Sequence, residues 1–308
     1  MMDEHREWMR GCATAMVTPF TLDGAVDHER MRHLVDHQIE GGVRILVPCG
    51  TTGEGATLTE DEQTELIATV VRHAKGRARV IAGVGSNATT TVIERARRAA
   101  EVGADAVLVV APYYNKPTQE GLFAHFRAVA EAVQNTPVVL YNVPSRTACN
   151  ISAEVTIALA RDVPNVVGTK EASGDLAQVT AILRDRPSSF AVLSGDDATT
   201  VPLIAMGADG VVSVAANEVP DAMHRLAEAA LENDWDTARE LHYRLAELMH
   251  ANFIETNPGP VKACMSMMGL AEESVRLPLV PVRDATRSRL RAVLDALQLL
   301  PVSAHVTA

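Results

Sequence analysis

Lys170 stands at the end of the apolar run NVVGT, residues 165–169, where an extended strand would bury both faces and an ammonium would meet little water. Burial disfavours the charged form of an amine, and a neutral amine is the nucleophile that condenses with a ketone to give a Schiff base. Tyr141 ends the preceding apolar run, PVVLY, so its phenol is placed to relay protons between the amine, water and a substrate. Structural roles compete with these. A strand-end lysine can snorkel to solvent, and a buried tyrosine can simply satisfy its hydroxyl. GTTGEG, residues 50–55, offers successive backbone N–H groups and the hydroxyls of Thr51 and Thr52 at a turn, which is either a carboxylate cradle or a plain glycine-rich turn. Further polar clusters follow apolar runs: PYYNKP at 112–117, YNVPSR at 141–146 and SGDD at 194–197.

The elements that must position these residues are legible from periodicity. Short apolar runs alternate with longer amphipathic stretches, the mark of βα repeats and a parallel sheet. The runs ATAMVTP, ILVPCG, RVIAGVG, AVLVVAP, PVVLYNVP, NVVGTK, FAVLSG and GVVSVAAN make eight candidate strands. Helix starts are marked by Thr59 with Glu62 in a capping box, by Thr118 before QEGLFAHF and by Ser152 before AEVTIALA. A junction recurs in EGGVRILVP, EVGADAVLVV and AMGADGVVSV, each with a glycine where a helix ends and a strand begins. Eight strand–helix repeats within roughly the first 230 residues predict an α/β fold, a (β/α)8 TIM barrel. We place the barrel at 1–222 and a C-terminal helical extension at 223–308. Lys170, Tyr141 and the polar clusters then fall where strands end and βα loops begin, the face on which such barrels build their sites.

Composition narrows the function classes. A net charge of -11, from 28 basic and 39 acidic residues among 308, argues against nucleic acid or an anionic membrane surface as a partner. The four cysteines, Cys12, Cys49, Cys149 and Cys264, have neither metal-ligand nor disulfide-framework spacing, so reduced thiols and a cytoplasmic location are expected. The segment MMDEHREWMR lacks an apolar core, and no uncharged stretch is long enough to span a bilayer. AGVGSNA at 82–88 matches a loose dinucleotide-binding pattern, but no acidic residue ends the next run, and Asp105 stands at its beginning. His33 and His37 lie one helical turn apart without a third ligand, and the SGDD acids suit helix capping better than a metal. Neither a metal nor a bound cofactor is expected.

GTTGE, PYYN, YNVPSRT, GTKEA and SGDD, in this order and together with VTPF and NPGPVK, resemble the dihydrodipicolinate synthase and N-acetylneuraminate lyase family of class I aldolases. The resemblance covers most of the chain. It implies that Lys170 forms an imine with pyruvate and that Tyr141 shuttles protons. Thr51 and Thr52 would hold the pyruvate carboxylate, with Thr51 joining Tyr141 in a relay completed by Tyr114 of a neighbouring subunit, in a homotetramer built as a dimer of dimers. Arg146, after YNVP, resembles the synthase branch, in which that arginine pairs with the carboxylate of aspartate semialdehyde; a guanidinium fork suits a planar carboxylate. Gly195 and Val212 would complete the substrate-binding set. The reaction implied is condensation of pyruvate with L-aspartate 4-semialdehyde to 4-hydroxy-tetrahydrodipicolinate. The alternative is a relative acting on a 2-keto-3-deoxy sugar acid or 4-hydroxy-2-oxoglutarate. Three positions depart from the commoner pattern: Gly55 for serine, Gly259 in NPGPVK, and Val212 for a bulkier aliphatic. Of the residues that bind feedback lysine in some relatives, Asn87, Ala56 and Tyr113 are kept. Thr91 replaces a glutamate, and Glu60 and Gln63 stand where histidines would fall.

Overall fold

The computed structural model describes residues 4–301. Eight parallel strands close into a barrel in sequence order: β1 Gly11–Ala15, β2 Ile45–Val47, β3 Arg79–Gly83, β4 Ala106–Val110, β5 Val138–Asn142, β6 Val166–Glu171, β7 Ala191–Ser194 and β8 Gly210–Ser213. Each of the eight expected runs overlaps one strand. The strands are short and buried on both faces, because one face lines the barrel and the other carries helices. Inward-facing Ala13, Ile45, Ile81, Leu108, Val139 and Val212 form one cluster together with Val167, which the pairing of β6 with β5 skips at a register shift, while outward-facing residues such as Leu46, Val107 and Val192 pack under the helices.

The seam between β8 and β1 begins with two glycines paired in register, Gly11 and Gly210. A Cβ on Gly210, whose φ is +153°, would collide with the Gly11 carbonyl, so this close approach requires glycine.

The expected caps form. Thr59 Oγ1 accepts from Glu62 N while the Glu62 carboxylate accepts from Thr59 N, and Thr118 and Ser152 cap the helices Gln119–Ala132 and Ala153–Asp162. Helix Pro220–Leu231 packs on β1 and β8 and completes the outer ring. The boundary expected at 222/223 falls inside this helix, since amphipathic periodicity does not tell a barrel helix from one in an appendage. We propose that the barrel unit runs to about residue 233. Beyond it, helices Trp235–Ala251, Gly259–Met267 and Asp284–Ala296 form the extension, and residues 302–308 lie outside the described residues.

Candidate active site

Strand register builds the centre of the site. Tyr141 of β5 and Lys170 of β6 are direct partners in the parallel ladder, so their side chains leave the sheet on the same face, toward the barrel axis. Both are buried, at 6% and 5% exposure, and Lys170 Nζ lies 4.4 Å from the Tyr141 ring centroid. The snorkelling alternative for Lys170 does not match this burial. Alternation sends the next residue, Glu171, to the other face. There its carboxylate accepts from Asn142 Nδ2, Ser173 N and Gln178 Nε2, so this neighbouring acid is held away from the amine by its own partners.

Two adjoining lobes open at this end of the barrel, about 320 and 540 Å³ in volume. The larger is lined by Lys170, Tyr141, Thr51, Thr52, Arg146 and Gly195, so six residues singled out from the sequence meet in one cavity. Thr51, Tyr141 and Arg146 also border the smaller lobe. Gly195 has a specific reason to be glycine: a Cβ there would lie 2.6 Å from Ala172 Cβ and 3.2 Å from Lys170 Cε, crowding the amine's stem.

Other expected positions land elsewhere. Val212 pairs with Ala13 in mid-strand and lies in the barrel interior; the β8 residue that borders the cavity is Val214, past the strand's end. Tyr114 is 88% exposed and does not line the cavity of its own chain, whereas Tyr113 borders the smaller lobe. Tyr114 holds φ at +75°, a left-handed conformation unusual for an aromatic residue. The SGDD acids are structural: Asp196 caps the following turn through Ala198 N, and Asp197 Oδ2 accepts from Val214 N and Ala215 N. The glycines of AGVGSNA serve close packing, since side chains at Gly83 and Gly85 would strike residues 49–50 and Val110. Gly55 likewise abuts the Cys49 carbonyl, so a serine there would require the turn to move. Among the described residues no cluster of three or more His, Cys, Asp or Glu side chains is arranged for a metal ion, and no helix is long and apolar enough to cross a membrane.

The extension supplies what the sequence reading missed. Residues 253–257 roof the larger lobe, and Asn257 Nδ2 donates to Thr52 Oγ1 at 2.9 Å. Next to it, Lys262 Nζ reaches Glu54 Oε1 at 2.5 Å with both side chains buried, and Arg276 N donates to Glu54 Oε2. Arg276 forks onto Glu62 and, with Lys262, flanks the Phe20 ring. This fork holds the Glu62 carboxyl down at about 2. NPGPVK carried the signal in its asparagine and its lysine, but their partners lie 205 and 208 residues away.

The lysine-site positions are also placed. Ala56 and Tyr113 border the smaller lobe, Gln63 is buried with Nε2 donating to Gly83 O, and Glu60 faces Arg98 at 3.8 Å.

A closed barrel that buries a lysine amine beside a tyrosine at the carboxyl end of its sixth strand is the arrangement of a class I aldolase-type lyase. The chain belongs to the dihydrodipicolinate synthetase family, whose model matches residues 8–297. It is 51% identical over 286 residues to the 4-hydroxy-tetrahydrodipicolinate synthase of Koribacter versatilis, covering 92% of this chain and 95% of that one. The crystal structure of dihydrodipicolinate synthase from Aquifex aeolicus superposes with a TM-score of 0.93 at 44% identity, covering 94% and 99% of the two chains. A monomeric dihydrodipicolinate synthase variant has the same TM-score, 0.93, at 42% identity and 96% and 99% coverage.

Proposed function

We propose that this chain condenses pyruvate with L-aspartate 4-semialdehyde to give 4-hydroxy-tetrahydrodipicolinate, through an imine on Lys170. The observation that carries the reading is the buried Lys170–Tyr141 pair opening into a cavity that also holds two threonine hydroxyls and one guanidinium. That is one nucleophile, one proton carrier and two sets of anion-binding groups, matching a substrate pair with a carboxylate on each member. The relatives that bear the synthase name support this over an aldolase acting on sugar acids.

The roles follow from the chemistry. The Lys170 amine attacks the keto carbon of pyruvate, and loss of water leaves an iminium. Tyr141 and Thr51 pass protons to the departing hydroxyl, while Thr51 and Thr52 hold the carboxylate. Loss of a methyl proton gives an enamine whose carbon attacks the aldehyde, and Arg146 holds the second substrate by its carboxylate. The substrate's own amine then replaces Lys170 at the imine carbon, closing the ring and freeing the enzyme. No metal or cofactor enters these steps.

We assign Tyr114 to the site of a neighbouring copy in a homotetramer, because a solvent-facing aromatic held at a left-handed φ has no role in its own chain's cavity. The four cysteines are free and buried, which suits a reducing cytoplasm.

Borohydride treatment with pyruvate tests the chemistry. One pyruvate-derived group should be fixed on the peptide containing Lys170. Labelling at another lysine, or none, would overturn the mechanism.

A further inference from the structure

We propose that Asn257, contributed by the helical extension, is a positioning residue that fixes the direction in which the Thr52 hydroxyl donates its proton. The inference rests on the reading that Thr52 holds the pyruvate carboxylate. A hydroxyl has one hydrogen and two lone pairs, so its usefulness to an anion depends on what its other partner is. Beside an acceptor it would spend its hydrogen there and turn lone pairs toward the ligand. Thr18 is in that state, donating to Gly53 O in the same turn at 2.6 Å. Thr52 is in the opposite one. Asn257 Nδ2 is a donor, it fills one lone pair of Thr52 Oγ1 at 2.9 Å, and both residues are nearly buried, at 4% and 3% exposure. The Thr52 hydrogen is thereby left to point into the larger lobe, where Lys170 and Tyr141 lie.

The amide is held in place by its own segment. Asn257 lies two residues before the start of helix Gly259–Met267, Gly259 N bonds back to Thr256 O, and Lys262 on that helix is locked to Glu54, two residues past Thr52. The extension thus grips residues 52–54 at two points, one an amide and one an ion pair. Asn257 Oδ1 is buried and has no partner among the described residues, so the contact with Thr52 is the amide's one side-chain hydrogen bond.

The test compares Asn257→Asp, Asn257→Ala, Thr52→Val and the double variant Thr52→Val/Asn257→Ala with the wild type. It reads the pyruvate concentration for half-maximal borohydride trapping on Lys170, the KM for each substrate, and the melting temperature. Aspartate has the size of asparagine but accepts the Thr52 proton, so Asn257→Asp should raise the half-saturating pyruvate concentration about tenfold or more. Asn257→Ala should raise it by about three- to tenfold while KM for the semialdehyde stays within about twofold. In the Thr52→Val background the alanine substitution should add nothing, because the hydroxyl it orients is gone. Pyruvate half-saturation unchanged in Asn257→Asp, or an alanine penalty of full size in the Thr52→Val background, would overturn the proposal. Should Asn257→Ala not fold, the isosteric aspartate variant decides the matter alone. A wild-type enzyme that traps no pyruvate would instead overturn the functional reading, and this inference with it.

Discussion

Lys262→Met should be among the most destabilising single substitutions in this chain. The Lys262 ammonium is fully buried, pairs with Glu54 Oε1 at 2.5 Å, donates to Ser274 O at 2.7 Å and lies 4.3 Å from the Phe20 ring centroid. Burial pulls the lysine's pKa down and the Glu54 carboxylate pushes back up, so the pair persists because each charge is the other's solvent. Methionine fills similar volume but leaves Glu54 buried with only Arg276 N as a donor, and strips Ser274 O of its partner. Breaking a buried pair from one side costs about 3 to 5 kcal/mol, and an orphaned carbonyl about 1 to 3 more, so a loss of roughly 4 to 8 kcal/mol is expected. Removing both charges in Lys262→Met/Glu54→Gln should cost less than Lys262→Met alone, since no uncompensated charge remains. Urea unfolding of the two single variants, the double variant and the wild type measures this cycle. A loss below about 1 kcal/mol for Lys262→Met, or additive effects in the double variant, would refute the reasoning.

Arg146→Ala should raise KM for aspartate semialdehyde, with a loss of about 2 to 3 kcal/mol in kcat/KM, and leave borohydride trapping of pyruvate intact. Unchanged condensation would remove the main support for the synthase branch. Glu218 is buried, accepts from Asn252 Nδ2, and its carboxyl is pushed up from 4.5 to about 8 by burial. A folded pKa above the unfolded one means stability that is full below about 4.5 and is lost as pH rises toward about 8, at up to about 1.4 kcal/mol per pH unit. Melting curves of Glu218→Gln should lack that slope, gaining on the wild type between pH 5 and pH 8.5 (on the order of the full window); a constant difference in melting temperature would refute it. Titrating L-lysine against the condensation rate should give half-inhibition at about a millimolar or above, because Thr91 offers no carboxylate to the ligand's ammonium and Glu60 is turned to Arg98. Strong cooperative inhibition well below that would show that the pocket works without the glutamate.

What the sequence determined by itself is whatever depends on near neighbours along the chain. Strand alternation puts Lys170 and Glu171 on opposite faces, and caps such as Thr59 with Glu62 close within one helical turn. Such features need no knowledge of the fold, because the interacting groups are a few residues apart. The closed barrel is nearly as legible, since eight successive βα repeats have few other ways to bury both faces of their strands. Tertiary structure decided whatever depends on where two distant segments meet. Val212 and Val214 share apolar character and a strand-end neighbourhood, and only the depth of β8 in the barrel puts the first in the interior and the second at the cavity. Pro220–Leu231 reads like any amphipathic helix until β1 is seen to lie beneath it. Asn257 and Lys262 look like ordinary polar residues of a helical tail, yet they meet Thr52 and Glu54 across 205 and 208 residues. No local pattern encodes such a contact, because a hydrogen bond's direction and a buried charge's partner exist only once the chain has closed around them.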